Sequence, residues 1–320
     1  MILRILSFAL ICALAGPAQA QSNYPSRPVR IVVPSPPAGG TDIIARALAQ
    51  YFSTVMGQQF FVENRPGAGN MIGIESVARA APDGYTLLFV PSTLALNSVM
   101  YKKVSYDPVH DFAPITLAAV ANNVLVINPT IPSKTLAEFI ALAKQKPGQL
   151  TYGTPGIGTS PHMAMELFKS LADIDLQHIP YRGTAPAMTD VISGQITAMF
   201  ANALTAKPQI VAGAVRALGV SGRKRSEALP NVPPIAEAGV PDYEATQWYG
   251  LVAPAGTPAE IVARLNAEAT QALKTQEMAE KLATDGAEPV GSTPAQFAAH
   301  IKNELAKWAN VARAAKIEPQ

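Results

Sequence analysis

The chain has 320 residues, 48% of them hydrophobic and 15% charged, with a formal net charge of +2. That balance suits a globular protein with one or two packed cores, and it speaks against nucleic acid as a partner, which would call for a basic excess. The one cysteine, Cys12, lies near the N-terminus, so the rest of the chain has no thiol for a disulfide, a zinc thiolate or a cysteine nucleophile.

In chain order, Arg4, the apolar run from Ile5 to Ala15 and the triplet Ala18-Gln19-Ala20 read as a secretory signal peptide, residues 1–20, cleaved after Ala20. The apolar run is too short to cross a bilayer. Ala9-Leu10-Ile11 before Cys12 is a poor lipobox, so an unlipidated periplasmic protein is expected. Next come a strand at 29–33, a helix at 41–56, a strand at 60–63, a helix at 71–80 and a strand at 85–90. The same alternation resumes with strands at 124–127, 150–153, 176–179, 196–200 and 215–220, and helices at 135–144, 160–171 and 186–193. Such βα alternation predicts α/β architecture with mostly parallel sheets covered by helices.

The last third is different. After a strand at 248–253 it is mainly helical, at 258–273, 276–283 and 293–314, with one short strand at 288–290. Thr257-Pro258 and Thr293-Pro294 are N-cap and first-turn signals. Three helices with one strand cannot easily form an α/β domain alone. The expectation is a discontinuous first domain, residues 21–122 and 247–320, around a second, residues 123–246.

Open α/β sheets bind ligands where strand ends feed helix N-termini. Two such loops stand out: Pro34-Ser35-Pro36-Pro37-Ala38-Gly39-Gly40-Thr41-Asp42 and Gly153-Thr154-Pro155-Gly156-Ile157-Gly158-Thr159-Ser160. Glycine lets backbone N–H groups approach an anion, and the helix N-terminus adds partial positive charge. Either loop alone also fits a tight βα turn whose Thr41 or Ser160 only caps a helix. No Gly-Lys-Ser/Thr follows either loop, and Gly67-Ala68-Gly69 with Gly73 has the wrong spacing for a dinucleotide fingerprint. Nucleotide binding is not expected.

Several segments in order carry a resemblance: Pro28-Val29-Arg30-Ile31-Val32-Val33-Pro34, Ala38-Gly39-Gly40-Thr41-Asp42, Glu63-Asn64-Arg65-Pro66-Gly67-Ala68-Gly69 and Pro82-Asp83-Gly84-Tyr85-Thr86-Leu87. They continue with Tyr152-Gly153-Thr154-Pro155-Gly156, Gly158-Thr159-Ser160-Pro161-His162, Pro180-Tyr181-Arg182-Gly183 and Leu229-Pro230-Asn231-Val232-Pro233 before Glu237-Ala238-Gly239. The chain resembles the Bug family, extracytoplasmic receptors of tripartite tricarboxylate transporters. The resemblance implies a two-lobed Venus-flytrap fold and a small organic carboxylate held between the glycine-rich loops. It points to Ala38, Gly39, Thr41 and Asp42 in one lobe, to Gly158, Thr159 and Ser160 in the other, and to Ser92, Thr93, Ala201 and Asn202 completing the cleft. Ser35 and Pro36 stand where family members often have an aromatic residue.

Other residues carry weaker signals. His162, just after Pro161, could line the cleft but more readily supports the loop by hydrogen bonding. His110, His178 and His300 lack metal-ligand spacing, so no metal and no cofactor is expected. Tyr181 and Arg182 could meet a second acidic group or lie on an exposed loop. Arg223-Lys224-Arg225 reads as a solvated face, and Trp248 with Tyr249 as hinge packing. The expected partners are the small acid and cytoplasmic-membrane transporter subunits, with the receptor itself monomeric. Two other functions stay open: a receptor presenting its bound acid to a sensor kinase, and an exported serine hydrolase built on Ser160 and His162. The second is disfavoured because Gly158-Thr159-Ser160-Pro161-His162 is not a G-x-S-x-G elbow, and Pro161 removes an oxyanion donor.

Overall fold

The computed structural model describes residues 24–37, 39–284 and 286–319. The segment read as a signal peptide, Cys12 and Ala38 lie outside the described residues. The chain opens with β1 (Val29–Val33), α1 (Gly40–Met56), β2 (Phe60–Asn64), α2 (Met71–Ala78), β3 (Thr86–Pro91), α3 (Thr93–Met100) and β4 (Phe112–Ala121). It continues through β5 (Asn123–Ile127), α4 (Leu136–Gln145), β6 (Thr151–Thr154), α5 (Ser160–Ala172), β7 (Gln177–Pro180), α6 (Thr184–Ser193), β8 (Ala198–Asn202), α7 (Ala203–Val211) and β9 (Arg216–Val220). It returns as β10 (Gln247–Pro254), α8 (Ala259–Leu273), α9 (Gln276–Thr284), β11 (Ala287–Pro289) and α10 (Pro294–Ala314).

Two sheets result: one in the order β11-β4-β10-β3-β1-β2, the other β7-β6-β8-β5-β9. The two-lobed α/β architecture agrees with the sequence reading, but the sheets are mixed rather than mostly parallel. Strands linked by helical crossovers pair in parallel: β1 with β2 and β3, and β6 with β7 and β8. Each antiparallel pairing involves β4, β5 or β10, the strands beside the crossings between the sheets. Only Asn122 separates β4 from β5. Within each sheet the strand that enters from the other sheet is reversed, β10 (with β11 beyond it) in the first and β5 in the second, whereas β4 runs in the same direction as β1, β2 and β3.

Burial follows the period-two pattern of a sheet covered on both faces. Val29, Ile31 and Val33 join Ile44, Leu48 and Phe52 of α1 in one cluster. Val32 faces the other way, with Leu88, Trp248 and Phe297. In the second sheet Leu125, Tyr152 and Phe200 pack with Met163 and Phe168 of α5, while Val124, Val126 and Met199 pack with Val191 of α6. Fully burying a side chain such as Phe52 or Phe168 contributes about 1.5–3 kcal/mol.

Helix α10 ties the lobes together. Phe297 and Ile301 sit in a cluster of the first sheet, and Trp308, Val311 and Ala312 in one of the second. Between them the buried Glu304 accepts from Trp248 Nε1 at 3.1 Å and from Trp308 Nε1 at 2.8 Å, so Trp248 does pack at the crossing. Among the described residues no helix is long and apolar enough to cross a membrane.

Candidate functional site

Parallel strands in one sheet end on the same edge, so the loops that follow them lie side by side. In the first sheet, β1, β2 and β3 therefore bring together the loop residues 34–37 and Gly39, the segment at 65–70 and Ser92. In the second, β6, β7 and β8 bring together the loop at 155–159, the segment at 181–183 and Asn202.

The first loop is held by charge. Gly39 is the N-cap of α1 in extended geometry with no side-chain cap, and the first intrahelical bond runs from Ile43 N to its carbonyl at 3.0 Å. Thr41 and Asp42 are buried in the first turn. Asp42 does not turn its carboxylate toward an anion. Its Oδ2 accepts from Arg46 Nε at 2.9 Å and its Oδ1 from Asn64 Nδ2 at 2.9 Å. Arg46 also reaches Asn64 Oδ1 at 2.9 Å, and Asn64 Nδ2 donates to the Ser35 carbonyl at 3.0 Å. The side chain of Asp42 thus supports the loop, leaving first-turn N–H groups as the means by which α1 could meet a ligand.

The second loop is held by neutral rings. Thr159 is the N-cap of α5, but its hydroxyl donates to the Gly156 carbonyl at 2.8 Å instead of capping the helix. Gly158, at φ 75°, donates its N–H to His162 Nδ1 at 3.1 Å. His162 is buried and stacks on His178, with ring centroids 4.3 Å apart, and His178 stacks on Tyr152 at 4.9 Å. His178 Nε2 meets Thr154 Oγ1 at 2.7 Å. Burial, with smaller contributions from His178 and Lys169, pushes His162 down to about 3, so its Nδ1 is a stable acceptor at neutral pH. Since Pro161 has no N–H and the Gly158 N–H is engaged, the donors left at this helix end are those of Thr159, Ser160 and His162.

The remaining predicted residues fall beside these loops. Ser92 is buried at the start of α3, and Thr93 Oγ1 accepts from Asn70 Nδ2 at 2.9 Å. Asn97 Nδ2 donates to the Gly69 carbonyl at 2.8 Å, which fixes the segment at 67–70 against α3. Ser160 Oγ accepts from Asn123 Nδ2 at 3.1 Å, and Asn123 pairs across the sheet with Asn202. Ala201 is fully buried in β8, and Asn202 caps α7 by accepting from Thr205 N at 2.9 Å. The lobes meet at Gly158, where a Cβ would stand 3.1 Å from Met100 Cγ of α3. Asn70 and Asn123 were not foreseen. A single asparagine carries no periodicity; Asn70 directly follows the quoted segment ending at Gly69, whereas Asn123, the first residue of β5, adjoins none of the quoted motifs.

Arg182 is exposed, and the Tyr181 hydroxyl donates to Asp190 Oδ2 at 2.6 Å, with burial first and Asp190 second pushing it up to about 12. Ser160 and His162 do not form a nucleophile–base pair, because His162 Nδ1 is directed at Gly158 and Ser160 Oγ at Asn123. Among the described residues no three His, Cys, Asp or Glu side chains are grouped to hold a metal.

Residues 44–317 match the model of the tripartite tricarboxylate transporter family receptor. Among relatives, BugT of Bordetella pertussis is 35% identical over 96% of this chain and 94% of its own length. A protein from the tcbD-tcbE intergenic region of Pseudomonas sp. is 39% identical over 91% of this chain and 87% of its own. Among solved structures, an R. palustris protein with adipate is 37% identical with a TM-score of 0.80, covering 93% of this chain and 100% of that one. MatC from Rhodopseudomonas palustris with bound malate is 32% identical with a TM-score of 0.75, covering 90% and 99%.

Proposed function

The chain belongs to the tripartite tricarboxylate transporter receptor family, and on that premise we propose that it is a periplasmic solute-binding protein whose two lobes close on a small organic carboxylate for uptake. The lobes are residues 21–122 with 247–320, and residues 123–246. The observation that carries this reading is the pair of glycine-rich helix N-termini, α1 and α5, one from each sheet, each with its own support. N–H groups there offer partial positive charge without a lysine or arginine, which suits a carboxylate. Gly39, Thr41, Thr159 and Ser160 contribute through the backbone, with Ser92, Thr93 and Asn202 lining the remaining side. Asp42 and Gly158 act as supports of their loops.

The relatives with adipate and malate direct the choice of acid toward dicarboxylates. The side-chain engagements of Ser160 and His162 favour a receptor over a hydrolase. The mature protein begins at Gln21, works as a monomer and delivers its acid to transporter subunits in the cytoplasmic membrane. A thermal-shift screen with adipate, malate and related di- and tricarboxylates tests the reading. An acid at 100 times its Kd stabilises by about 2.7 kcal/mol, whereas no stabilisation by any carboxylate overturns it. Intact mass of the exported protein checks the cleavage site.

A further inference from the structure

We propose that His162, seated on His178, is the positioning residue of the α5 binding loop: it fixes Gly158 and thereby decides which backbone donors face the ligand. The proposal rests on the carboxylate reading above for its functional meaning, and on the loop's own geometry for its structure. A helix start usually satisfies its donors with the N-cap hydroxyl. Here Thr159 gives its hydroxyl to the Gly156 carbonyl, so that cap is missing. His162 stands at the third helical position, and its ring reaches back to the N–H of the residue before the cap, as the acidic member of a capping box reaches back to the N-cap.

The two rings hold the loop at both ends. His162 Nδ1 accepts from Gly158 N at one end. At the other, His178 Nε2 and Thr154 Oγ1 stand 2.7 Å apart, and Thr154 Oγ1 also lies 3.3 Å from the Gly156 carbonyl; the tautomer that serves both contacts places the hydrogen on His178 Nε2. Because the rings stack at 4.3 Å with 22° between their planes, the two anchors form one unit. The unit is seated in the lobe by Tyr152, whose hydroxyl donates to the buried Glu166, itself paired with Lys169 at 2.9 Å. The consequence for binding is selective. The Gly158 N–H is withdrawn from the ligand, and Gly158 is held close against Met100 at φ 75°, a conformation that favours glycine. One imidazole therefore serves both the donors of α5 and the contact between lobes.

The test uses the mature, isotope-labelled protein with three variants, His162→Phe, His162→Asn and His178→Phe, and adipate and malate as probes. In the parent, a 15N–15N coupling across the hydrogen bond from Gly158 to His162 Nδ1 is expected without any ligand. Its absence overturns the proposal even if no variant folds. His162→Phe keeps a stacking ring but cannot accept. It should lose Gly158 amide protection and bind at least about tenfold more weakly. His162→Asn places Oδ1 where Nδ1 was and should restore both to within about threefold of the parent, although its melting temperature falls as much as that of His162→Phe. His178→Phe should lie between them. A folded His162→Phe protein with parental Gly158 protection, or an asparagine variant as weak as the phenylalanine one, overturns the proposal. If the parent binds neither acid, the dicarboxylate choice fails, while the coupling and amide exchange still decide the role of His162.

Discussion

The loops before α1 and α5 look alike in sequence, yet they are built on opposite electrostatic plans. The α1 loop is tied down by a carboxylate, an arginine and an asparagine, with Asp42 buried and Arg46 half exposed. The α5 loop is tied down by two neutral imidazoles that burial keeps uncharged. The difference teaches that an anion site need not be supported by cations. It needs backbone donors kept in place, and either a satisfied ion pair or a buried ring stack can do that. It also implies that the lobes respond differently to acid and to salt.

The largest expected effect breaks the α5 side. Gly158→Pro removes the donor to His162 and demands φ near −65° where the backbone sits at 75°. Affinity for adipate or malate should fall by at least about a hundredfold, measured by calorimetry on protein shown to be folded by circular dichroism. Parental affinity in that variant would mean the loop takes no part in binding.

Acid should separate the two plans next. His162 has its folded pKa depressed from 6.5 to about 3, by burial first and then by His178 and Lys169, and His178 is shifted the same way. Between those values the unfolded chain binds more protons than the folded one. The stability from keeping the ring neutral is therefore complete above about 6.5 and is lost as pH falls toward 3. Urea unfolding between pH 7 and 4 should show a steep loss in the parent and a shallower one in His162→Phe. Equal slopes would show that carboxylates alone cause the acid limb.

Asp42→Ala should act on the α1 side and cost about 1–3 kcal/mol of stability, because it removes one of the two acceptors of the Asn64 amide and the partner of Arg46 Nε. Most of that cost should persist at 1 M salt, since Arg46 is half exposed and its share is already screened. The smallest effect is Thr159→Ala, which loses one hydroxyl bond to Gly156 and should cost about 1 kcal/mol. Chemical denaturation resolves both, and a Thr159→Ala cost above that of Asp42→Ala would invert the comparison.

Long, strongly patterned elements were legible from the residues. The buried run at 29–33, the amphipathic helix beginning at Gly40 and the capped helix beginning at Pro294 fall where periodicity and capping place them. Three elements were not read. Strand β4 contains Pro114, which argues against a strand; its pairing with β10 shifts register between Leu251 and Val252, where Val252 meets Pro114. Helix α7 contains Pro208, and α3 is only eight residues long beside the end of β3. The mixed sheets were hidden because strand direction at a crossing depends on where the chain goes next, and no local pattern records that.

For the site, the sequence by itself determined the glycines, the hydroxyl residues at the helix starts and the family to which the motifs point, because conformational freedom and helix polarity are local properties. Only the tertiary structure decided what those groups do. It turned Asp42 toward Arg46 and Asn64, brought His178 from the next strand beneath His162, set Asn123 against Ser160 and placed Met100 of one lobe at Gly158 of the other. Apart from the i,i+4 pair of Asp42 with Arg46 inside α1, each of these is a contact between residues on different elements, and the partner of a buried polar group is fixed by which strands and helices pack together.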